Sequence, residues 1–465
     1  MSFFSRYKWL LLLSFASFSF AAFAFYFQLY QNLVPVPDSS TYWAASRQLY
    51  FGGFQAHPLR PYLFPLIIGL PYLIDNASVD FVLYVQCLNF LAWLLTIWAV
   101  VKSLLLATNS RLAFIGGLLF ATHIGSIGIN VHVMTEAIFT CCLAWSVYFC
   151  LKNAFYAPKE ANIFKAVGLL TAAALIKPTA LPILFLGVVP LLLWLKVKQK
   201  LTFKGLILAL TLIFIPISGQ FYNMKRCLGH TTFTYLSNEN LYLFLLAYTH
   251  LLKETGSYAE ASQNWGNERE KRQATIETAV GQGMDRKWAM DSLCQQDLKK
   301  AVSENPKLLA ASLVRAIISN TKGESYFIGN TQTSSAHRYF DFWCRFFKRL
   351  SVFQNIFFTS LAFLNGLVAW TIPRKYLFYR DTYRVVTSLA LGIIVISGLV
   401  FAAGDRFHLT IVPLSIIGFP VLNAVWDRPQ IRNVAERENV KKATTAIAAK
   451  APISVRRFTF CPPSV

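Results

Sequence analysis

The chain has 465 residues, 55% of them apolar and only 14% charged, with a mean hydropathy of +0.45. That balance excludes a soluble globular protein of this length and indicates an all-α, multi-spanning membrane protein. A formal charge of +22 would suit a nucleic-acid binder, but most cations sit in short links between apolar segments, where membrane topology accounts for them, so no nucleic acid is expected as partner.

The first apolar run begins after Arg6 and Lys8 and contains Ala22-Phe23-Ala24, which imitates a cleavable signal peptide. It continues to about Tyr30, long enough for the roughly 20 residues that a span needs, so an uncleaved first helix is expected. Either outcome puts the next stretch, Pro35 to Pro65, on the far side of the membrane. This stretch holds Asp38 after a proline pair, a helix-like run from Tyr42 to Tyr50, the pair Gly52-Gly53, then His57 and Arg60. Asp38 also reads as a helix N-cap, and that role is compatible with chemistry.

Further segments long and apolar enough to span fall at about 80–106, 112–130, 133–151, 162–177, 179–195, 203–222, 352–372, 384–403 and 408–425, giving about ten helices in all. The fifth and sixth meet at Lys177-Pro178, where proline removes a backbone donor and breaks the run. With the N-terminus inside, short inner links carry Lys102 and Arg111, Lys152 to Lys165, Lys196 to Lys204 and Arg374 to Arg384, and the basic tail also comes out inside. Asp38, His57, Arg60, His132, Glu136, Lys177, Asp405, Arg406 and His408 then gather on the outer face.

The predicted organisation has an N-terminal transmembrane module (1–222) with a first outer catalytic loop (31–79), a large outer loop (223–350), C-terminal transmembrane helices (351–427) and a disordered basic tail (428–465). The large loop reads as helical: Asn305-Pro306 is a helix start, and Leu309, Leu313 and Ile317 follow at helical spacing. Asn240 to Leu252 is apolar but too short to cross, so it is expected on or against the bilayer. His337 to Leu350 mixes aromatic and basic residues as a helix in the headgroup layer would.

His132 and Glu136, four residues apart, are expected on one face of a helix near its outer end. An acid in a spanning segment is costly and normally faces a cavity or a partner, although one at headgroup level needs neither. Lys177 is a second charge on the same side, and it could equally snorkel to the interface. Arg60 and Arg406 supply guanidiniums suited to bidentate contact with phosphate, while Arg406 could simply pair with Asp405. His57, His132 and His408 with the acids have no diagnostic ligand spacing, so no metal site is assigned, no cofactor is named, and a divalent cation stays open. Eight cysteines contain no Cys-x-x-Cys pair.

Two acids at the membrane edge, several cations and a wet loop are what a lipid-phosphate-sugar enzyme needs. The acid takes a proton from an acceptor hydroxyl, which attacks the anomeric carbon while cations stabilise the departing lipid phosphate. The order of motifs resembles the GT-C glycosyltransferase superfamily, which includes protein O-mannosyltransferases and bacterial aminoarabinose transferases. The matching pieces are Asp38 with Tyr42 a turn later; the glycine pair and the run from Arg60 to Leu66; Thr135-Glu136; Lys177 to Ala180; Asn305-Pro306; and Asp405-Arg406-Phe407. Lys177 stands where many members have arginine, and His57 where an aromatic residue is frequent.

The resemblance implies an integral enzyme, in the bacterial inner membrane with both termini cytoplasmic, that moves a sugar from a polyprenyl-phosphate donor to an acceptor hydroxyl at the outer face. It implies Asp38 as the catalytic base, with Glu136 as a second catalytic carboxylate, Arg60, Lys177 and Arg406 at the donor phosphate, and Tyr42, His57, His132 and His408 around the substrate. An inverting reaction is expected, with a glycan, lipid or protein acceptor. A transporter, or a flippase or ligase of lipid-linked glycans, is the alternative; Glu136 and Lys177 would then line a path. The glycosyltransferase reading requires these distant charges to meet, within about a screening length of ten ångströms.

Overall fold

The computed structural model describes residues 3–26, 37–74, 81–156, 159–323, 340–371, 380–399 and 408–422. Among them there is no strand, and the all-α expectation holds. The first half comprises α1 (Phe3–Tyr26), α2 (Pro37–Tyr50), α3 (Leu63–Ile68), α4 (Val82–Ala107), α5 (Ser110–Ala121), α6 (Ile124–Asn130), α7 (Glu136–Phe155), α8 (Glu160–Ile176), α9 (Pro178–Val197) and α10 (Phe203–Leu228). The second half comprises α11 (residues 236–255), α12 (Tyr258–Gly281), α13 (Arg286–Glu304), α14 (Pro306–Thr321), α15 (Phe340–Thr371), α16 (Arg380–Ser397) and α17 (His408–Gly418).

Among the described residues six helices, α1, α4, α7, α9, α10 and α15, are long and apolar enough to cross a membrane; a seventh span results if α5 and α6, bent by 54°, count as one. Leu83, Leu186, Ile215 and Phe353 are exposed on them, which suits a hydrocarbon solvent. The chain is an integral membrane protein. The expected total of about ten is not reached by this criterion. Segments 162–177, 384–403 and 408–425 are represented by α8, α16 and α17, with 17, 18 and 11 residues. Charges at Arg380, Asp381 and Arg384 occupy the first turns of α16 and cut its apolar stretch short.

These shorter helices nonetheless belong to the central bundle. α7 packs on α4 and α8, α8 on α10, and α15 on α16 and α17. One continuous core joins them, with Trp93, Phe120, Phe139 and Ile393 buried in it. The helix α2 lies on α3, where a Cβ at Gly69 would stand 2.3 Å from Ser46 Oγ and 2.4 Å from the Tyr50 ring. Any side chain at position 69 would force Ser46 and Tyr50 out of their places on α2.

The large polar loop is helical, as expected, from α11 to α14. Residues 240–252 pack into protein: Tyr242, Leu243, Leu246, Tyr248 and Leu251 are buried in two small cores, one of which takes in Ala56 of the first loop. Apolar residues on several faces of a short helix therefore satisfied protein partners rather than a bilayer. Pro306 opens α14 in its first turn, but Asn305 makes no side-chain cap bond. Arg272, 8% exposed, ties the module together through Glu268 at 3.0 Å and Asp297 at 2.7 Å. The aromatic and basic run near residue 340 is no separate surface helix. From Phe340 it continues into α15, whose 32 residues reach about 48 Å at 1.5 Å each, well beyond a 30 Å hydrocarbon core.

Candidate active site

The site is built on α2. Pro37 is its first residue, where a fixed φ and a missing N–H cost nothing, and Asp38 lies in the first turn, where unpaired N–H groups favour a negative charge. Asp38 is thus inside the helix rather than its N-cap. The face formed by Tyr42, Ala45 and Leu49 is buried as expected, which fixes the rotation of α2. The turn after α2 puts Gly53 at φ 68° and Phe54 at φ 62°. A left-handed phenylalanine is strained, and it is held by its own N–H to Leu49 O at 3.1 Å and by Arg226 donating to Phe54 O at 3.0 Å. That turn brings the chain back so that Arg60 faces α2.

Arg60, 7% exposed, donates through Nη2 to Asp38 Oδ1 at 2.5 Å, through Nε to Thr41 Oγ1 at 2.8 Å and through Nη1 to the Tyr42 hydroxyl at 3.1 Å. A planar fork with fixed donors can satisfy three partners from one helix in this way, which lysine could not. The Tyr42 hydroxyl lies 3.4 Å from Thr135 Oγ1, which donates to Glu136 Oε2 at 3.2 Å; Glu136 Oε1 in turn accepts from Lys177 Nζ at 3.0 Å. Burial raises the Tyr42 pKa, against the opposing pull of Arg60, so its hydroxyl keeps its proton.

The polar chain therefore runs Asp38, Arg60, Tyr42, Thr135, Glu136, Lys177, drawn from four separate segments. Glu136 is 1% exposed and begins α7; Lys177 is 13% exposed in extended backbone (φ −140°, ψ 119°) between α8 and the Pro178 turn. Proline's broken helix is what turns Lys177 towards α7. Asp38, at 29%, is the wet end. Behind Glu136 is a cavity with room for about one water, lined by Thr96, Ser126, Asn130 and Thr140 among others.

The predicted residues are not all placed together. His132 does not share a helix face with Glu136, because α7 starts at Glu136 and His132 lies in the turn before it. Val131 and Val133, β-branched and flanking it, disfavour helix there, and side chains hold the carbonyls instead: Gln86 donates to Val131 O, Asn89 to His132 O and Ser39 to Val133 O. The Ser39 bond sets α2 against α7. The His57 ring accepts from Leu59 N at 3.2 Å and is near enough to Arg60 to feel its charge, and its carbonyl accepts from Arg60 N at 3.4 Å. Arg406, like Asp405, lies outside the described residues; His408 heads α17, with its side chain outside the description. Among the described residues no group of three His, Cys, Asp or Glu is placed to hold a metal ion.

One acid escaped the sequence reading. Glu239, on α11, has its carboxyl pKa raised by burial, with Arg286, Arg60 and Arg269 lowering it and Asp38 raising it, which puts it in the electrostatic reach of the first loop. The backbone supports that placement: Tyr235 N donates to Pro58 O at 2.8 Å, and Gln220 bridges Tyr62 N and Phe233 O. Its signal was available, since Glu239 is the sole acid from Asn223 to Lys253.

No protein-family model matches this sequence, and no curated protein does. Among solved structures, an archaeal oligosaccharyltransferase, AglB from Archaeoglobus fulgidus in complex with an inhibitory peptide and a dolichol-phosphate, is similar over 97% of this chain and 55% of its own, at 12% identity and a TM-score of 0.46. This chain thus spans about half the length of that protein. ArnT from Cupriavidus metallidurans bound to undecaprenyl phosphate is similar over 90% of this chain and 78% of its own, at 12% identity and a TM-score of 0.39.

His57 offers a test of this geometry. Burial first, and Arg60 second, lower its pKa from 6.5 to about 4. The unfolded chain takes up a proton near 6.5 and the folded one near 4, so this residue makes stability fall as pH drops through that window and is silent above it. His57→Gln should flatten the acid limb of the thermal unfolding curve between pH 6.5 and 4, and an unchanged limb would contradict the burial.

Proposed function

We propose that this chain is a membrane glycosyltransferase of the GT-C type, moving a sugar from a polyprenyl-phosphate donor to an acceptor hydroxyl at the outer face. The observation that carries the reading is the polar chain from Asp38 to Lys177: charges 139 positions apart in sequence lie within one run of hydrogen bonds. Apolar bundles do not bury such groups for stability, since desolvation offsets the attraction, so intramembrane ion pairs point to function.

Asp38 accepts the proton of the acceptor hydroxyl. The oxygen attacks the anomeric carbon, and the bond from that carbon to the lipid phosphate oxygen breaks with its electron pair leaving on the phosphate. Attack opposite the leaving group inverts the anomeric centre. Arg60 keeps Asp38 ionised and aimed, because an adjacent cation favours the carboxylate. A donor phosphate that competes for Arg60 would loosen this ion pair and release Asp38 for the acceptor proton, so that base activation follows donor binding. Lys177 and Glu136 set the potential behind the phosphate, with Arg406 as the third cation of the donor site. Tyr42, His57, His132 and His408 surround the substrates.

The first loop, the large loop and the C-terminal helices serve as catalytic, acceptor-facing and bundle-completing units, with the termini in the cytoplasm of a bacterial cell. The test uses purified protein in nanodiscs with polyprenyl-phosphate sugars labelled in the sugar. Label transferred to an acceptor, with polyprenyl phosphate released in equal amount, supports the reading. Donor bound and carried across vesicles intact would replace it with transport.

A further inference from the structure

Exposed tryptophans on the spanning helices, Trp194, Trp343 and Trp370, have lipid to face; Trp288 has none, because it stands on α13 of the polar loop, and it is 63% exposed. Its ring meets His230 edge-on at 6.1 Å, and His230 meets Tyr235 likewise at 5.9 Å. Asp285, 49% exposed, accepts from His230 Nε2 at 2.9 Å and from the N–H groups of Lys287 and Trp288. The result is a large indole fixed on a short polar frame, with a carboxylate and an imidazole beside it.

A pyranose has an apolar C–H face and a rim of hydroxyls. An indole takes the face, and a carboxylate with an imidazole takes two hydroxyls in fixed directions. A phosphate would meet Asp285 as a like charge. Arg286 and Lys287 directly precede Trp288, but each is held in an ion pair, Arg286 with Glu277 and Lys287 with Asp291, so the flank is not the purely basic one of an interfacial anchor.

We propose that Trp288, His230 and Asp285 form a saccharide subsite that holds a sugar-bearing acceptor beside Asp38. The subsite is continuous with the first loop. Tyr235, against His230, donates its N–H to Pro58 O; three residues later Asn238 donates to Asp291 Oδ1 at 2.7 Å on α13, and the next residue is Glu239. This inference rests on the glycosyltransferase reading and narrows its acceptor to a glycan or glycolipid.

The test applies full-length protein in fluorescent nanodiscs to an array of oligosaccharides of bacterial and eukaryotic type. Wild type and Asp38→Asn should bind the same structures, and Trp288→Ala should bind them at least about tenfold more weakly, the equivalent of 1.4 kcal/mol. Asp285→Asn, which can still cap α13, should weaken binding with an unchanged unfolding temperature. No binding by wild type to any oligosaccharide, or equal binding by Trp288→Ala, overturns the subsite. So does a smaller loss of tryptophan fluorescence to brominated lipid in Trp288→Ala than in wild type, which would make Trp288 a membrane anchor. Failure of the transferase reading is separate: Asp38→Asn with full transfer removes the proposed base whatever the array reads.

Discussion

Asp38→Asn is expected to fold, insert and pair with Arg60, yet to lose sugar transfer by on the order of a thousandfold. The amide oxygen can still accept from Arg60 Nη2, now 2.5 Å from Asp38 Oδ1, so the geometry of α2 and the returning loop survives. What is lost is the ability to take a proton. At 29% exposure the carboxylate is the most accessible member of the two ion pairs in the polar chain, so it is the one a hydroxyl can reach. The readout is label transfer from a polyprenyl-phosphate sugar in nanodiscs, alongside the unfolding temperature. Transfer at the wild-type rate would remove Asp38 as base, and a collapsed unfolding temperature would call for Asp38→Glu in its place, which should keep the base but misplace it and leave partial activity.

The second large effect is at the other end of the chain of bonds. Lys177→Met removes the cation facing a carboxylate that is 1% exposed inside the bundle, and should destabilise the protein by about 3 kcal/mol or more. Glu136→Gln alone should be milder, because the amide oxygen can still accept from Lys177 while the Thr135 hydroxyl can turn to accept from the amide NH2. The double variant Glu136→Gln, Lys177→Met buries no net charge and should regain most of the lost stability, since paired burial contributes little against neutral side chains. It should not regain transfer. Unfolding in detergent measures the first quantity and donor turnover the second; recovery of both would reduce the pair to a structural contact without a role at the donor.

Much of this was legible in the chain. Long apolar runs gave the spans, because no soluble packing tolerates them, and the proline at position 178 marked a helix break and the one at 306 a helix start that the structure retains. The acids and cations that meet were recognisable because an ionised group within an apolar segment is too costly to be casual. Where local patterns had two physical solutions, the reading failed. An apolar stretch at 240–252 suits a bilayer or a small protein core, and only tertiary contacts chose the core. The His132 and Glu136 spacing suits a helix, but the carbonyls of residues 131–133 found partners on α2 and α4 and the helix began later.

Sequence by itself determined the solvent of this protein and the inventory of charges in and beside its apolar segments, since both follow from the transfer energies of individual side chains. Which charges touch was decided by the tertiary structure alone. Arg60 turns to α2, and not outward, because a strained turn at Phe54 and buried faces on α2 and α3 leave its guanidinium one place with three acceptors. Glu239 arrives beside the same loop because Tyr235 binds Pro58, a bond between backbones separated by 177 positions, and backbone bonds carry no signature of residue type.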